Sequence, residues 1–215
     1  MDVLKISNLF DLNNTIAKEL LERLEYPWEV FNTLEDFIME IGPKLPKDKF
    51  EQKGDNIWIA KSAKVAPTAS LNGPLIIDED AEVRHCAFVR GNAIVGKGAV
   101  VGNSTELKCT LLFDKVQVPH YNYVGNSVLG FKSHMGAGSI TSNLKSDKSL
   151  VTVNVDGEKG HMLVICNPNN YCKFSEELNS LINNVEPDKV IIDIKDLVSK
   201  IENLDVLIIA HHSFK

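Results

Sequence analysis

The stretch from Ile59 to Phe113 can be stepped through six residues at a time without meeting a polar side chain. The positions reached are Ile59, Val65, Leu71, Ile77, Val83, Val89, Val95, Val101, Leu107 and Phe113. Two places before each runs a second register of mostly small apolar residues: Ile57, Ala63, Ala69, Leu75, Ala81, Ala87, Ala93, Ala99, Thr105 and Leu111. One face of an α-helix recurs near 3.6 residues and one face of a half-buried strand recurs at about 2, so a period of six fits neither. It fits a left-handed parallel β-helix, a solenoid whose triangular coil uses about six residues per flat face. One branched side chain per face fills the prism, and the small residue before it lets the chain reach the corner. The fold class expected is mainly β, a left-handed parallel β-helix over residues 55–159.

Before the comb, residues 1–54 read as a helical leader. Asn14 or Thr15 can cap a helix whose apolar face is Ile16, Leu20, Leu21 and Leu24, with Tyr26-Pro27 as its stop. A second helix begins near Thr33, carries Leu34, Phe37, Ile38 and Ile41 as its buried stripe, and ends at Gly42-Pro43, where a left-handed cap is expected. Trp28 and Phe31 are expected to pack between the two. A polar segment from Pro46 to Asp55 leads into the coils, and the leader is expected to cap the exposed end of the solenoid.

After the comb, the period changes. Leu163–Ile165, Val190–Ile194 and Val206–Ala210 have the form of strands, with helices over 175–184 and 196–201 between them, which predicts a small β-α-β-α-β unit with a parallel sheet over residues 162–215. Gly160-His161-Met162 resembles the scar of a cloning site, so a natural two-part protein and a fusion or rearranged tail both stay open.

Composition narrows the function classes. In 215 residues the formal charge is −6 and the pI is near 5.5, which argues against general affinity for nucleic acid or anionic membrane. No apolar run approaches the roughly 20 residues that span a bilayer, and Met1-Asp2-Val3-Leu4-Lys5 lacks the form of a signal peptide, so a cytoplasmic protein is expected. Cys86, Cys109, Cys166 and Cys172 form no Cys-x-x-Cys pair, and the first two are expected to be small buried hydrophobes. No metal site is expected; His211-His212 reads most simply as a polar terminus.

The comb loses its regularity after Phe113, where the next step lands on Pro119, and resumes out of phase at Val124, Leu129 and Met135. Such a break predicts an inserted loop carrying Val118-Pro119-His120-Tyr121-Asn122-Tyr123, followed by the glycine-rich run Met135-Gly136-Ala137-Gly138-Ser139. Glycines at this density serve either close approach to a ligand or tight corners.

Three runs carry a resemblance: Gly102-Asn103-Ser104-Thr105-Glu106-Leu107-Lys108, His120-Tyr121-Asn122-Tyr123-Val124-Gly125-Asn126-Ser127, and Gly130 through Gly136-Ala137-Gly138-Ser139-Ile140-Thr141-Ser142-Asn143. Together they resemble the C-terminal half of the bifunctional UDP-N-acetylglucosamine pyrophosphorylase/glucosamine-1-phosphate N-acetyltransferase. Residues from about Tyr26 to Val155 are similar to stand-alone bacterial nucleotidyltransferase-like proteins. The resemblance implies a homotrimer with an acetyl-transfer site between neighbouring subunits and acetyl-CoA as co-substrate. It puts His120 in the place of the general base, a task that suits an imidazole with its ordinary pKa of about 6.5. Arg90 and Lys108 fall where the family clamps a sugar 1-phosphate. Tyr123 matches a phosphate-contacting tyrosine, Asn143 a sugar-contacting asparagine and the Ala137 backbone an acetyl-CoA contact. Lys145 or Lys148 stands near a further family lysine.

The chain departs from that pattern in three ways. No nucleotidyl transfer domain or glycine-rich phosphate loop opens it, His134 stands where the family carries a second sugar-contacting asparagine, and the further coils that supply much of the acetyl-CoA site are expected to be missing after Val155. An acyltransferase acting on an amino-sugar 1-phosphate is therefore weighed against a catalytically incomplete sugar-phosphate or nucleotide-sugar binding protein, or a trimeric β-helix scaffold.

Overall fold

The structure, a computed structural model, describes residues 4–141 in full and, beyond them, the backbone of strands Val153–Val155, Glu158–Cys166 and Val206–His211. The comb folds as a parallel β-solenoid of about four turns. Ile57 stands opposite Leu75 and Leu75 opposite Ala93, each one coil of 18 residues, and the same step pairs Lys64 with Glu82, Glu82 with Val100, and Ser70 with Phe88. Eighteen residues are three faces of six. Val83, Val89 and Val95 each come from a different face and all are buried in one core. That shared interior is the reason a polar residue on the comb cannot be accommodated: it would lose its water with no partner to replace it.

The break in the comb is a deletion, and the expected inserted loop is not there. From Leu107 the inward positions are Leu112, Val118, Val124, Leu129 and Met135, all buried. Thr110 pairs with Ala93, Gln117 with Val100, Tyr123 with Glu106 and Ser127 with Thr110, a coil of 17 in each case. The missing residue is the counterpart of Gly91: the amides of Cys109 and Thr110 bond to the carbonyls of Gly91 and Asn92. With one residue fewer the corner tightens, and strands Glu106–Leu112 and Tyr123–Leu129 run through it without interruption. Hydroxyls serve the carbonyls that the tightened turn exposes. Thr110 Oγ1 donates to the Lys108 and Val124 carbonyls, at 3.1 and 2.9 Å, and Ser127 Oγ to the Gly125 carbonyl at 2.8 Å. Phe113, the last residue of the predicted comb, is buried for another reason: its ring packs on Phe10 of the leader with centroids 5.2 Å apart.

The leader covers a side of the prism as well as its end. Trp58, Ile76, Ile94, Leu111 and Val128 point outward from successive coils of one face, yet all are buried. Burying an Ile or Leu side chain contributes about 1.5–3 kcal/mol, so this column alone fixes the leader firmly. Polar ties hold its edges: Asn92 Nδ2 donates to Glu35 at 2.9 Å, and the Asp114 amide to the Asn14 carbonyl at 3.0 Å. The end is capped by strand Phe50–Gly54, which pairs antiparallel with Ile57–Ala60. The segment read as a polar lead-in is thus the device that closes the sheet edge.

The first predicted helix is broken into pieces. A 3-10 turn at Leu12–Asn14 is capped by Asp11, Thr15 turns back to the Ala17 amide, and the α-helix proper is Lys18–Glu22. Pro27 opens a further 3-10 turn, Pro27–Asn32, instead of ending the element. The second helix, Leu34–Ile41, lies where expected, but Gly42 keeps right-handed backbone at φ −51°. A glycine stands there because a Cβ would lie 2.4 Å from the Trp58 ring. Among the tail strands, Glu158–Cys166 pairs antiparallel with Val206–His211, where a parallel sheet was expected. The predicted strand Val190–Ile194 and both tail helices lie outside the described residues.

Candidate functional site

Three of the predicted site residues gather at one edge of the third face, the one formed by Ser70–Leu71, Phe88–Val89 and the first halves of Glu106–Leu112 and Tyr123–Leu129. Val89 pairs with Leu107, which sets Arg90 beside Lys108 on the next coil, and Lys108 pairs with Gly125. Parallel strands lie about 4.8 Å apart, so two cations stack within reach of one phosphate. The Tyr123 hydroxyl joins them. A Cβ placed on Gly125 would fall 2.6 Å from that oxygen, so the ring lies along the face toward the Lys108 corner. Glu106, which carried no role in the sequence reading, accepts from the Arg90 guanidinium at 3.0 Å and aims it along the face. Lys108 has no ion-pair partner among the described residues.

Cys109 occupies the turn of this same corner, at φ 49°, with its thiol 3.7 Å from the Phe31 carbonyl of the leader. Burial pushes that thiol up to about 11, against a smaller opposing effect of Lys108, so it stays protonated and unreactive near neutral pH. Cys86 differs from expectation: it is exposed, because it too sits at a left-handed corner, φ 57°, where the side chain turns away from the prism.

His120 lies at the opposite edge of the third face. It ends strand Gln117–His120, and Tyr121 turns the corner in left-handed backbone at φ 51°. Its amide donates to Asn122 Oδ1 at 3.1 Å, and its carbonyl accepts from the Gly138 amide at 3.0 Å, which sets Ala137 in register one coil above. The glycine run therefore makes a tight corner directly over His120. His134 stands on the second face, paired with Gln117 and with its Nδ1 3.2 Å from Gln117 Oε1. Asn143, Lys145 and Lys148 lie outside the described residues.

Within one chain the predicted site is thus divided. Arg90, Lys108 and Tyr123 share one edge; His120 and Ala137 belong to the other, with His134 further back on the second face. Five residues of extended chain separate His120 from the Lys108 column at Gly125, at most about 16 Å. Between them the outward surface carries Phe88 and Ile140, with Tyr121 at the margin, 38, 61 and 62% exposed. Asn122 is the other residue that motif reading passed over. It is buried beside His120, and its signal in the sequence is an amide in a column that otherwise holds Ala87, Thr105 and Ser139. Among the described residues no group of three or more His, Cys, Asp or Glu could hold a metal ion, and no helix is long and apolar enough to cross a membrane.

Known proteins bear on this geometry. The family model of the GMPPB C-terminal domain matches residues 71–167, a span that runs past Gly160-His161-Met162. A bifunctional protein GlmU of Methanococcus maripaludis is 34% identical over 151 residues, covering 62% of this chain and 33% of that protein. The GlmU of Wolbachia pipientis is 34% identical over 90 residues, covering 42% and 21%. A bifunctional sugar-1-phosphate nucleotidylyltransferase/acetyltransferase of Sulfurisphaera tokodaii is 28% identical over 179 residues, covering 74% and 44%. The chain spans about a third of the length of the first of these relatives. The solved acetyltransferase domain of PglB from Neisseria gonorrhoeae is 18% identical and covers 52% of each chain at a TM-score of 0.41, a likeness too slight to carry weight.

Proposed function

We propose that this chain, a hexapeptide-repeat protein resembling the C-terminal half of the GlmU proteins, transfers an acetyl group from acetyl-CoA to the amine of an amino-sugar 1-phosphate. The proposed setting is a cytoplasmic homotrimer. The observation that carries this reading is the division of the site across one solenoid face. Arg90, steadied by Glu106, and Lys108, joined by the Tyr123 hydroxyl, form a cation pair suited to a phosphate dianion. The base stands at the other edge of the same face, up to about 16 Å along the chain from the cations. A second copy laid on Phe88, Tyr121 and Ile140 would bring the partner subunit's His120 to the cations and would cover exposed apolar surface. The amine nitrogen then attacks the thioester carbonyl carbon, His120 takes the nitrogen's proton, and the C–S bond breaks to release the CoA thiolate, which takes that proton back from His120 to leave as the thiol. His134 and the Ala137 backbone, on the His120 side, would meet the sugar and the acyl donor, and Asn143 the sugar.

The test is a thiol-release assay with acetyl-CoA and glucosamine 1-phosphate, read in two variants and their mixture. His120→Ala is expected to lower kcat by about a hundredfold or more. An Arg90→Ala, Lys108→Ala double variant should mainly raise KM for the sugar phosphate. Refolding the two together should restore part of the activity, because some mixed seams then hold an intact base opposite an intact clamp. Recovery that never exceeds the sum of the separate variants would remove the shared site. Tight sugar-phosphate binding without any turnover would instead favour a binding protein.

A further inference from the structure

We propose that Asn122 is a positioning residue that ties the His120 corner to the glycine turn one coil above, so that the imidazole and the Ala137 backbone keep a fixed spacing. The inference rests on the reading of His120 as the base. Asn122 is only 3% exposed. Its Oδ1 accepts from the His120 amide at 3.1 Å, while Nδ2 donates to the carbonyls of Gly136 at 2.7 Å and Ser139 at 3.2 Å. Its own amide donates to Thr105 Oγ1 at 3.3 Å, and its carbonyl accepts from the Glu106 amide at 2.8 Å. Both protons of the carboxamide are therefore used, and both go to the turn that lies over His120.

The position does not demand an amide for folding the solenoid as such. Ala87 fills the same place two coils earlier, where a small residue is all the corner needs. The left-handed corner itself is common to the coils, as at Cys86 and Ser104; what distinguishes the Asn122 coil is that its side chain ties that corner to the one above. Tyr121 keeps a left-handed backbone that a bulky side chain disfavours, and Gly138 does the same at φ 74° with open space around its Cβ position. Two left-handed corners, stacked one above the other, are fastened to each other through one side chain. A displacement of about 1 Å between reacting groups can cost on the order of a hundredfold in rate, which is what such a fastening would prevent.

The experiment uses the full chain with Asn122→Ala and Asn122→Asp. In Asn122→Ala, hydrogen exchange at the His120 and Gly138 amides should speed up by about tenfold, the loss of roughly one hydrogen bond, while the Arg90 and Lys108 amides stay unchanged. Asn122→Asp keeps the acceptor for His120 but loses both donors, so it should release Gly138 and leave His120 protected. With acetyl-CoA and glucosamine 1-phosphate, Asn122→Ala should lower kcat by about tenfold or more while KM for the sugar phosphate, set at the other edge, moves by less than about twofold. Unchanged exchange at His120 in Asn122→Ala, or acceleration spread evenly over the chain, overturns the proposal. If Asn122→Ala does not fold, Asn122→Asp decides alone: both amides released, or both kept, overturns it. A wild type without turnover defeats the acetyl-transfer reading, and the contrast in exchange still decides the role of Asn122.

Discussion

The early coils and the late coils wind on the same three faces but treat their interiors differently. In the early coils the residues before the comb are mostly alanines, Ala63, Ala69, Ala81, Ala87, Ala93 and Ala99, and each turn takes 18 residues. In the late coils the same columns hold Thr105, Thr110, Asn122 and Ser127, each turn takes 17 residues, and these buried polar side chains all have partners. Apolar packing alone sustains a regular prism. Where the corner is tightened or a functional edge must be held, backbone groups lose their water and side-chain hydroxyls and amides take over. The change coincides with the coils that carry Lys108, His120, Tyr123 and Ala137.

The most disruptive way to break this contrast is to give an early coil a late-coil residue. Ala87→Asn copies the Asn122 side chain into a corner packed around an alanine, next to Thr105 on the following coil. It should cost about 2–3 kcal/mol, from overpacking and from desolvating an amide the corner is not shaped to hold, read as a lower midpoint in urea. A loss below about 1 kcal/mol would show that early corners tolerate polarity and that the late ladder is incidental. The converse change is milder. Thr110→Val keeps the shape but leaves the Val124 and Lys108 carbonyls short of a donor, so a loss of about 1–2 kcal/mol is expected. A neutral result would mean that water reaches the tightened corner.

The same contrast explains what could be read in the chain beforehand. From Ile59 to Leu107 the comb gave the interior, and the 18-residue coil places Arg90 next to Lys108 by spacing alone. Phe113 misled because apolar character reports burial, not direction: the ring is buried against Phe10, outside the prism. Taking it as interior shifted the phase by one and made a deletion look like an inserted loop. The leader's true place was also written in the sequence, since Trp58, Ile76, Ile94, Leu111 and Val128 recur once per coil on one outward column, where the neighbouring faces show Lys64, Glu82 and Gln117 or Ser70 and Glu106. The division of the site was harder to see. A motif gives order along the chain, while the edge on which His120 falls depends on the corner after Pro119.

The smallest expected effect concerns the corner opposite the site, where the coils meet under the leader. Asp78 is buried with its Oδ1 2.6 Å from the Glu79 amide, and Asp114 Oδ1 accepts from the Lys97 amide at 2.9 Å. Burial raises the carboxyl pKa of both; the Glu79 amide and Lys97 oppose this at Asp78, while the charges of Asp114 and Glu79 add to it. A carboxyl held above its unfolded value binds its proton more tightly in the fold. The contribution of these two carboxyls to stability should therefore fall as pH rises from the ordinary aspartate range, about 3.9, through the raised values, and should be flat above them. Asp78→Asn keeps an oxygen for the Glu79 amide and removes the charge. It should shrink that fall and leave the protein slightly more stable than wild type at neutral pH, measured as the difference between urea midpoints over that window. Because Lys49 and Lys97 pair with Glu79 at 3.3 and 3.6 Å and remain in place, their attraction is common to both proteins. A variant less stable than wild type at neutral pH would mean that the Asp78 carboxylate contributes more through its amide contact than burial takes away, and this apolar-to-polar corner would then resemble the late coils instead of the early ones.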